Sequence, residues 1–517
     1  MSVRCGIVGI ASALALAGAL APATARAQGG AEPARSSTPP EEAQVIQLVT
    51  LPSPGSPIVS IRAMFRVGSM DDPKGKEGLA ALTTAILGEG ATAKRSYKDL
   101  VEALYPLAAS VQARTDREVS LLTVEVHRDK LEELTALLVE VLTQPGFAPA
   151  DFERHRKQAE SYLTTTLRAA NDELLGLEVL QQQVFAGHPY GHAPEGTVAG
   201  LAAINLDDVK AFWRERFTAG NLMLGVAGGY PEGYPERLVA ALVALPQARR
   251  SDRPLPPPPR PQGREVTLVE KDTASVGIHF GHPIAVTRAD DDYFPLMLAA
   301  SYLGEHRTSH GRLYQQIRGL RGINYGDYAY VEHYHLPPFT TNPTPNVPRR
   351  QQLFSVWVRP VQPDAAHFSL RAALHEVDRL IGQGMTAEEV ELTRDFLVNY
   401  SKLWAQTLSA RLGFLMDSRY YRMPYWIDEI ERRLAGLTAE QVNAAVRRHL
   451  QTKDLEMVLV TDEASALAAK LRADEPASIR YAAAPPAEVT EADESIQALP
   501  VKPRTVEIVP VGQVFEK

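Results

Sequence analysis

The hydrophobic and polar positions of this chain fall into two runs with the same order of elements. The first opens on two alternating strands, 45–51 and 58–67, and the second on 265–269 and 275–281. Each then has an apolar helix, 78–87 and 293–303. Next comes a strand that leads at once into an amphipathic helix: 120–126 then 130–143, and 353–358 then 365–383. A further helix starts at Ala148-Pro149-Ala150-Asp151 in one run and at Thr386-Ala387-Glu388-Glu389 in the other. Both runs close with a helix and a strand, 206–217 then 222–227, and 438–450 then 455–460. A repeated order of this length predicts a duplicated unit. Strand pairs with helices packed on one face give an α+β fold. The expected architecture is two homologous halves of layered antiparallel sheet, 43–245 and 265–465, arranged as a clamshell. They are joined by a Pro-rich linker at 246–264 containing Pro254-Leu255-Pro256-Pro257-Pro258-Pro259. Such a run has few N–H donors and fixed φ, and behaves as a stiff extended spacer. The tail, 466–517, is rich in Ala, Glu and Pro and weakly specified.

The N-terminal segment reads as an address. Arg4 precedes an apolar run from Ile7 to Leu20, and Ala25-Arg26-Ala27 is a small-x-small cleavage pattern. A signal peptide at 1–27, cut after Ala27, is expected, followed by a disordered leader at 28–42. The single cysteine, Cys5, lies within that signal. The remaining chain therefore has no disulfide framework, no thiolate metal site and no cysteine nucleophile. A cysteine-free exported protein suits a bacterial periplasm or secretion, with no membrane span in the mature chain. The 517 residues are 45% hydrophobic and 22% charged, an ordinary globular balance, and the net charge of −8 excludes a basic surplus for nucleic acid.

Candidate chemistry is sparse. Among thirteen histidines there is no HExxH and no HxxEH. His306 and His310 sit four apart but between glycines, and read as loop histidines. His333 and His335 would share one face of a strand, and His188 and His192 belong to a turn. The carboxylate clusters Asp71-Asp72, Asp290-Asp291-Asp292 and Glu429–Glu431 read as solvated charge. There is no nucleophile elbow, Walker loop or G-x-G-x-x-G.

Four local runs carry a family resemblance. Val67-Gly68-Ser69-Met70-Asp71-Asp72-Pro73 leads into Gly75-Lys76-Glu77-Gly78-Leu79-Ala80. Gly187-His188-Pro189-Tyr190-Gly191 precedes Glu195-Gly196-Thr197. Arg312-Leu313-Tyr314-Gln315-Gln316-Ile317-Arg318 continues through Gly322-Ile323-Asn324-Tyr325. In this order, within a duplicated chain, they resemble the pitrilysin/insulinase-type (inverzincin) metallopeptidases, and especially the group of the mitochondrial processing peptidase and its bacterial relatives. The resemblance covers roughly residues 43–465.

The departures are specific. The family's zinc helix carries HxxEH directly after Gly-Leu-Ala. Here the two histidines fall on Ala81 and Ala85 and the glutamate on Thr84. The family's third ligand, also a glutamate, falls on Tyr162, and a supporting glutamate falls on His155. Methyl groups cannot coordinate zinc, and threonine cannot act as its general base. No metal is therefore expected in this chain. Arg318 and Tyr325, by contrast, match the family's arginine–tyrosine pair, which the resemblance implies grips substrate backbone and stabilises the oxyanion of peptide hydrolysis. By themselves they read as a surface helix arginine and a half-buried strand tyrosine. The resemblance implies a non-zinc subunit of a heterodimeric peptidase, inactive alone. Its homologous partner would bear the zinc, and a peptide or small unfolded polypeptide would be the substrate. The alternative is a catalytically inactive peptide-binding or scaffold protein of the same fold. Asn342–Pro348 is a Pro/Asn-rich insertion, read as a loop or as an arm toward a partner.

Overall fold

The duplication is visible in the strand order of two sheets. In the first, β1 (Gln47–Pro52), β2 (Ile58–Phe65), β3 (Gln112–Thr115), β4 (Ser120–His127) and β5 (Leu222–Gly228) lie in the order β1-β5-β2-β4-β3. In the second, β6 (Arg264–Glu270), β7 (Val276–Ile284), β8 (Asn324–Tyr330), β9 (Gln352–Val361) and β10 (Leu455–Thr461) repeat it as β6-β10-β7-β9-β8. There β11 (Pro503–Pro510) is added beside β6. The computed structural model describes residues 45–249, 253–306, 308–335, 342–481 and 484–517; the segments expected to be a signal peptide and a leader, and Arg307, lie outside them. No helix among the described residues is long and apolar enough to cross a membrane.

The structure departs from a purely antiparallel sheet and from a weakly specified tail. The opening strands of each half are not neighbours, because the closing strand inserts between them: β5 runs parallel to β1 and antiparallel to β2, as β10 does to β6 and β7. The sheets are therefore mixed rather than antiparallel. Nor does the tail stay loose. It forms helices Ala464–Arg472 and Ala487–Ala498, then β11 pairs parallel with β6. Beyond β11, Val514 and Phe515 enter the core of the first half, and Val514 O accepts Arg168 Nε at 2.6 Å.

Helices cover one face of each sheet, as expected: α1 (Leu79–Glu89) and α2 (Leu131–Thr143) on the first, α5 (Tyr293–Leu303) and α6 (Ala366–Gln383) on the second. α3 (Pro149–Ser161) packs on α1. The opposite faces are covered by exchange between halves. α4 (Asp172–Val184) of the first half packs on β7 and β10, and α7 (Leu408–Tyr420) of the second packs on β5, β1 and β2. Two glycines permit this. A Cβ at Gly176 of α4 would stand 2.1 Å from the His279 ring of β7, and one at Gly225 of β5 would stand 2.4 Å from Met416 Sδ of α7. A small apolar cluster of Val49, Met64, Leu121, Met223, Leu412 and Met416 seals the second contact. The polar side of β2, Ser60 and Arg62, is thereby buried instead of facing water.

Candidate functional site

α1 begins at Leu79 because Asp72 reaches its first turn: Oδ2 accepts Gly78 N and Oδ1 accepts Ala80 N, both at 2.7 Å. His192 Nε2 sits 3.1 Å from the same carboxylate. Asp71 accepts Gly68 N at 3.0 Å and pairs with Arg253 at 3.2 Å, and burial pushes its carboxyl up to about 6. These two carboxylates are structural anchors, not solvated charge. A chain turning into a buried helix needs acceptors for its free amides. The turn histidine His188 is also structural, accepting Tyr190 N at Nδ1 at 3.0 Å.

On the zinc-helix positions, Ala81 and Ala85 are half-buried and Thr84 is buried. The Thr84 hydroxyl donates to Ala80 O at 2.8 Å and accepts Thr115 Oγ1 at 2.9 Å, so it is fully engaged. Tyr162 opens a stretch wound as π-helix, Tyr162–Ala170, and faces a cavity of about 130 Å³ beside Glu178, Glu195 and Trp357. His155 is buried with Nε2 3.1 Å from Glu89 O, and burial lowers its pKa. Two methyls, a satisfied hydroxyl and a phenol do not fit a zinc ion. Among the described residues no three His, Cys, Asp or Glu side chains converge as a metal site.

Arg318 and Tyr325 are brought together, though away from that cavity. Arg318 lies in a π-wound turn, Tyr314–Gly319, and Tyr325 near the start of β8, the sheet's edge strand. The guanidinium carbon stands 4.4 Å above the Tyr325 ring, and Nη1 donates to Tyr325 O at 2.7 Å. Tyr325 is 59% exposed. Neither residue lines the cavity that Tyr162 faces.

Residues 47–197 match the insulinase (peptidase family M16) profile, and residues 203–397 match the profile described as the peptidase M16 inactive domain. The chain belongs to the M16 family. It is similar to a protein of Helicobacter pylori named "Non-peptidase homolog YmxG", 24% identical over 410 residues, covering 79% of this chain and 90% of that one. It is also similar to the Caenorhabditis elegans cytochrome b-c1 complex subunit 1, 22% identical, covering 78% and 84%. Among solved structures, a peptidase M16 inactive-domain protein of Pseudomonas fluorescens superposes with a TM-score of 0.71 at 21% identity, covering 81% of this chain and 96% of that one. The periplasmic protease PqqL of Escherichia coli superposes with a TM-score of 0.64 at 14% identity, covering 89% of this chain and 49% of that one.

In this M16 chain the space between the halves holds residues that sequence reasoning passed over. The insertion at Asn342–Pro348 is a loop, and its end from Asn346 to Pro348 is buried between the halves. Asn346 is fully buried, accepts Arg62 Nη1 at 2.7 Å, and donates Nδ2 to Gly413 O and Asp417 Oδ1 at 3.0 and 3.1 Å. Arg349 is buried against Asp116, and Arg350 Nε donates to Glu118 Oε2 at 2.7 Å. Burial and nearby arginines hold His333 well below its usual range and His335 down at about 4. Both follow the end of β8 instead of sharing a strand face. His306 stacks on Tyr328 at 3.8 Å, while His310 stays exposed. Asp291 pairs with Arg433, Asp292 with Arg448, and Glu429 with Arg432, so these carboxylates are paired. The only hint in the sequence was the alternation of charge in Asp116-Arg117-Glu118, with no pointer to partners more than two hundred positions away.

Proposed function

We propose that this chain is the non-zinc subunit of an exported heterodimeric metallopeptidase. It binds peptide and completes the active site of a homologous, zinc-bearing partner. The observation that carries the reading is the stacking of Arg318 on an exposed Tyr325. The guanidinium is fixed by the Tyr325 carbonyl, so its remaining N–H donors and the phenol are set as one unit. Such a unit matches negative charge developing on a carbonyl oxygen. Because the pair lies outside the intrachain cavity, it serves a substrate held between this chain and another. The zinc-helix positions offer no ligands, so the metal belongs to the partner.

A second reading has its own support. Asn346 and Arg349 fill the space between the halves with the chain's own residues, and that suits an inactive scaffold. Metal analysis of the mature chain, alone and with a co-purified zinc-bearing homologue, separates the two. The pair model expects zinc and peptide hydrolysis only in the complex. Stoichiometric zinc in the isolated chain overturns both readings, and a complex that forms without hydrolysis leaves the scaffold.

A further inference from the structure

A second polar cavity, about 620 Å³, opens over the exchanged face of the first sheet. Its floor is Arg62 of β2, Thr123 of β4, and Gln112 and Arg114 of β3. Its far wall is Thr344 and Pro345 of the inserted segment with Thr407 and Ser409 at the start of α7. The sheet register places Thr123 directly between Arg62 and Gln112.

The charge in this cavity is unbalanced. Arg62 is buried, and its two terminal nitrogens meet neutral groups: Asn346 Oδ1 at 2.7 Å and Ser409 Oγ at 2.9 Å. Its Nε is buried without a hydrogen-bond partner among the described residues. Arg114 donates to the carbonyls of Pro345 and Asn346 at 2.8 and 3.2 Å. Neither arginine is within ion-pair distance of a carboxylate among the described residues. The acids that face them are Asp417, Asp116 and Glu125. Asp417 accepts twice from Asn346 and lies 3.7 Å from Arg288, Asp116 is closed by Arg349, and Glu125 is exposed at the cavity rim. The α7 N-terminus, capped by the Thr407 side chain, adds positive potential on the same side. Burial and mutual repulsion pull the Arg62 guanidinium down to about 10, which agrees with two cations sharing a site.

We propose that this cavity is a carboxylate-binding site, in which Arg62 and Arg114 receive a ligand carboxylate above Thr123. Two guanidinium groups lining one cavity, with no carboxylate at ion-pair distance among the described residues, suit that anion. The ligand is a small free acid or the C-terminus of a short peptide. Arg114 already takes two main-chain carbonyls of the inserted segment, so peptide chemistry is compatible with the floor. The site stands apart from the arginine–tyrosine pair, and neither depends on the other.

Calorimetry on the full mature chain tests it with three probes: succinate, an acetylated tripeptide with a free C-terminus, and the same tripeptide amidated. Either or both carboxylates bind, the amide does not, and added salt weakens binding. Binding of succinate alone identifies a small acid as the source; binding of the free peptide identifies a chain terminus. Arg114→Gln lowers affinity at least tenfold. Thr123→Glu supplies the carboxylate from within, so it abolishes binding and raises the melting temperature in the absence of ligand. Equal binding of acid and amide, binding of none of the probes, or unchanged affinity in Arg114→Gln overturns the proposal. A fall in melting temperature for a folded Thr123→Glu chain does so independently of any probe.

Discussion

Arg349 of the second half closes on Asp116 of the first through two parallel hydrogen bonds, Nε to Oδ2 at 2.9 Å and Nη2 to Oδ1 at 2.6 Å. A third, from Nη1 to Gln181 Oε1 at 3.0 Å, fixes the guanidinium against α4. Arg349 is 1% exposed, so removing its partner strands a buried cation. Asp116→Asn is expected to cost about 3–5 kcal/mol. A double replacement by apolar residues of similar volume should cost much less, because no charge is then left unpaired. Urea unfolding of both variants measures the difference. The Arg349 charge holds the Asp116 carboxyl well below its usual 3.8. This contribution is therefore complete above pH 4 and is lost only as pH falls further.

Glu305 has the opposite slope. It is 8% exposed, its carboxyl accepts from Ser301, and burial raises it from 4.5 to about 7. The folded state holds a proton that the unfolded chain has released. Its stabilising share is thus full below pH 4.5 and disappears as pH rises through about 7. Glu305→Gln should be nearly neutral at pH 5 and stabilising at pH 8, on the order of 1–3 kcal/mol. Thermal melts at the two pH values check the sign.

The C-terminal segment fastens the halves together. Phe515 is 3% exposed in the first-half core, while β11, just before it, belongs to the second sheet. Its main chain is held as well, Val198 N donating to Phe515 O at 2.9 Å. Phe515→Ala should cost about 3–5 kcal/mol. It should also speed proteolytic cleavage after β11, visible by mass spectrometry of a timed thermolysin digest, since that protease cuts before valines such as Val514.

With the proposed zinc-bearing partner present, Arg318→Ala and Tyr325→Phe should each lower kcat, Arg318→Ala by on the order of 100-fold. Assembly should be unaffected, since Tyr325 keeps its ring and its carbonyl in the variant. Steady-state kinetics alongside a sedimentation measurement of the complex separates turnover from association. Unchanged turnover in both variants would assign the pair to structure.

Much of the fold was legible along the chain. The helix at Tyr293–Leu303 and the capped start at Thr386 lie where the apolar period and the capping pattern put them. The edge strand β3 was harder. β3 has only four residues, Gln112–Thr115, and none is fully buried, so it lacks the alternation that marks a strand. Asp71 and Asp72 misled because a paired carboxylate reads as solvated until the amides it caps are seen in space.

The sequence by itself determined the duplicated order of elements, and it placed Ala81, Thr84, Ala85 and Tyr162, and Arg318 and Tyr325, at the positions to which the family resemblance points. The first follows from local patterning, and the others from residue type at positions the resemblance supplies. Only the tertiary structure decided that β5 and β10 enter between the opening strands and that α4 and α7 are exchanged. It alone brought Arg349 onto Asp116 and left Arg62 and Arg114 facing one cavity. The reason is that polar positions on β2 and in the inserted segment carry no local mark of burial. What buries them is an element from the other half of the chain, and that contact is set by packing between faces rather than by periodicity along either one.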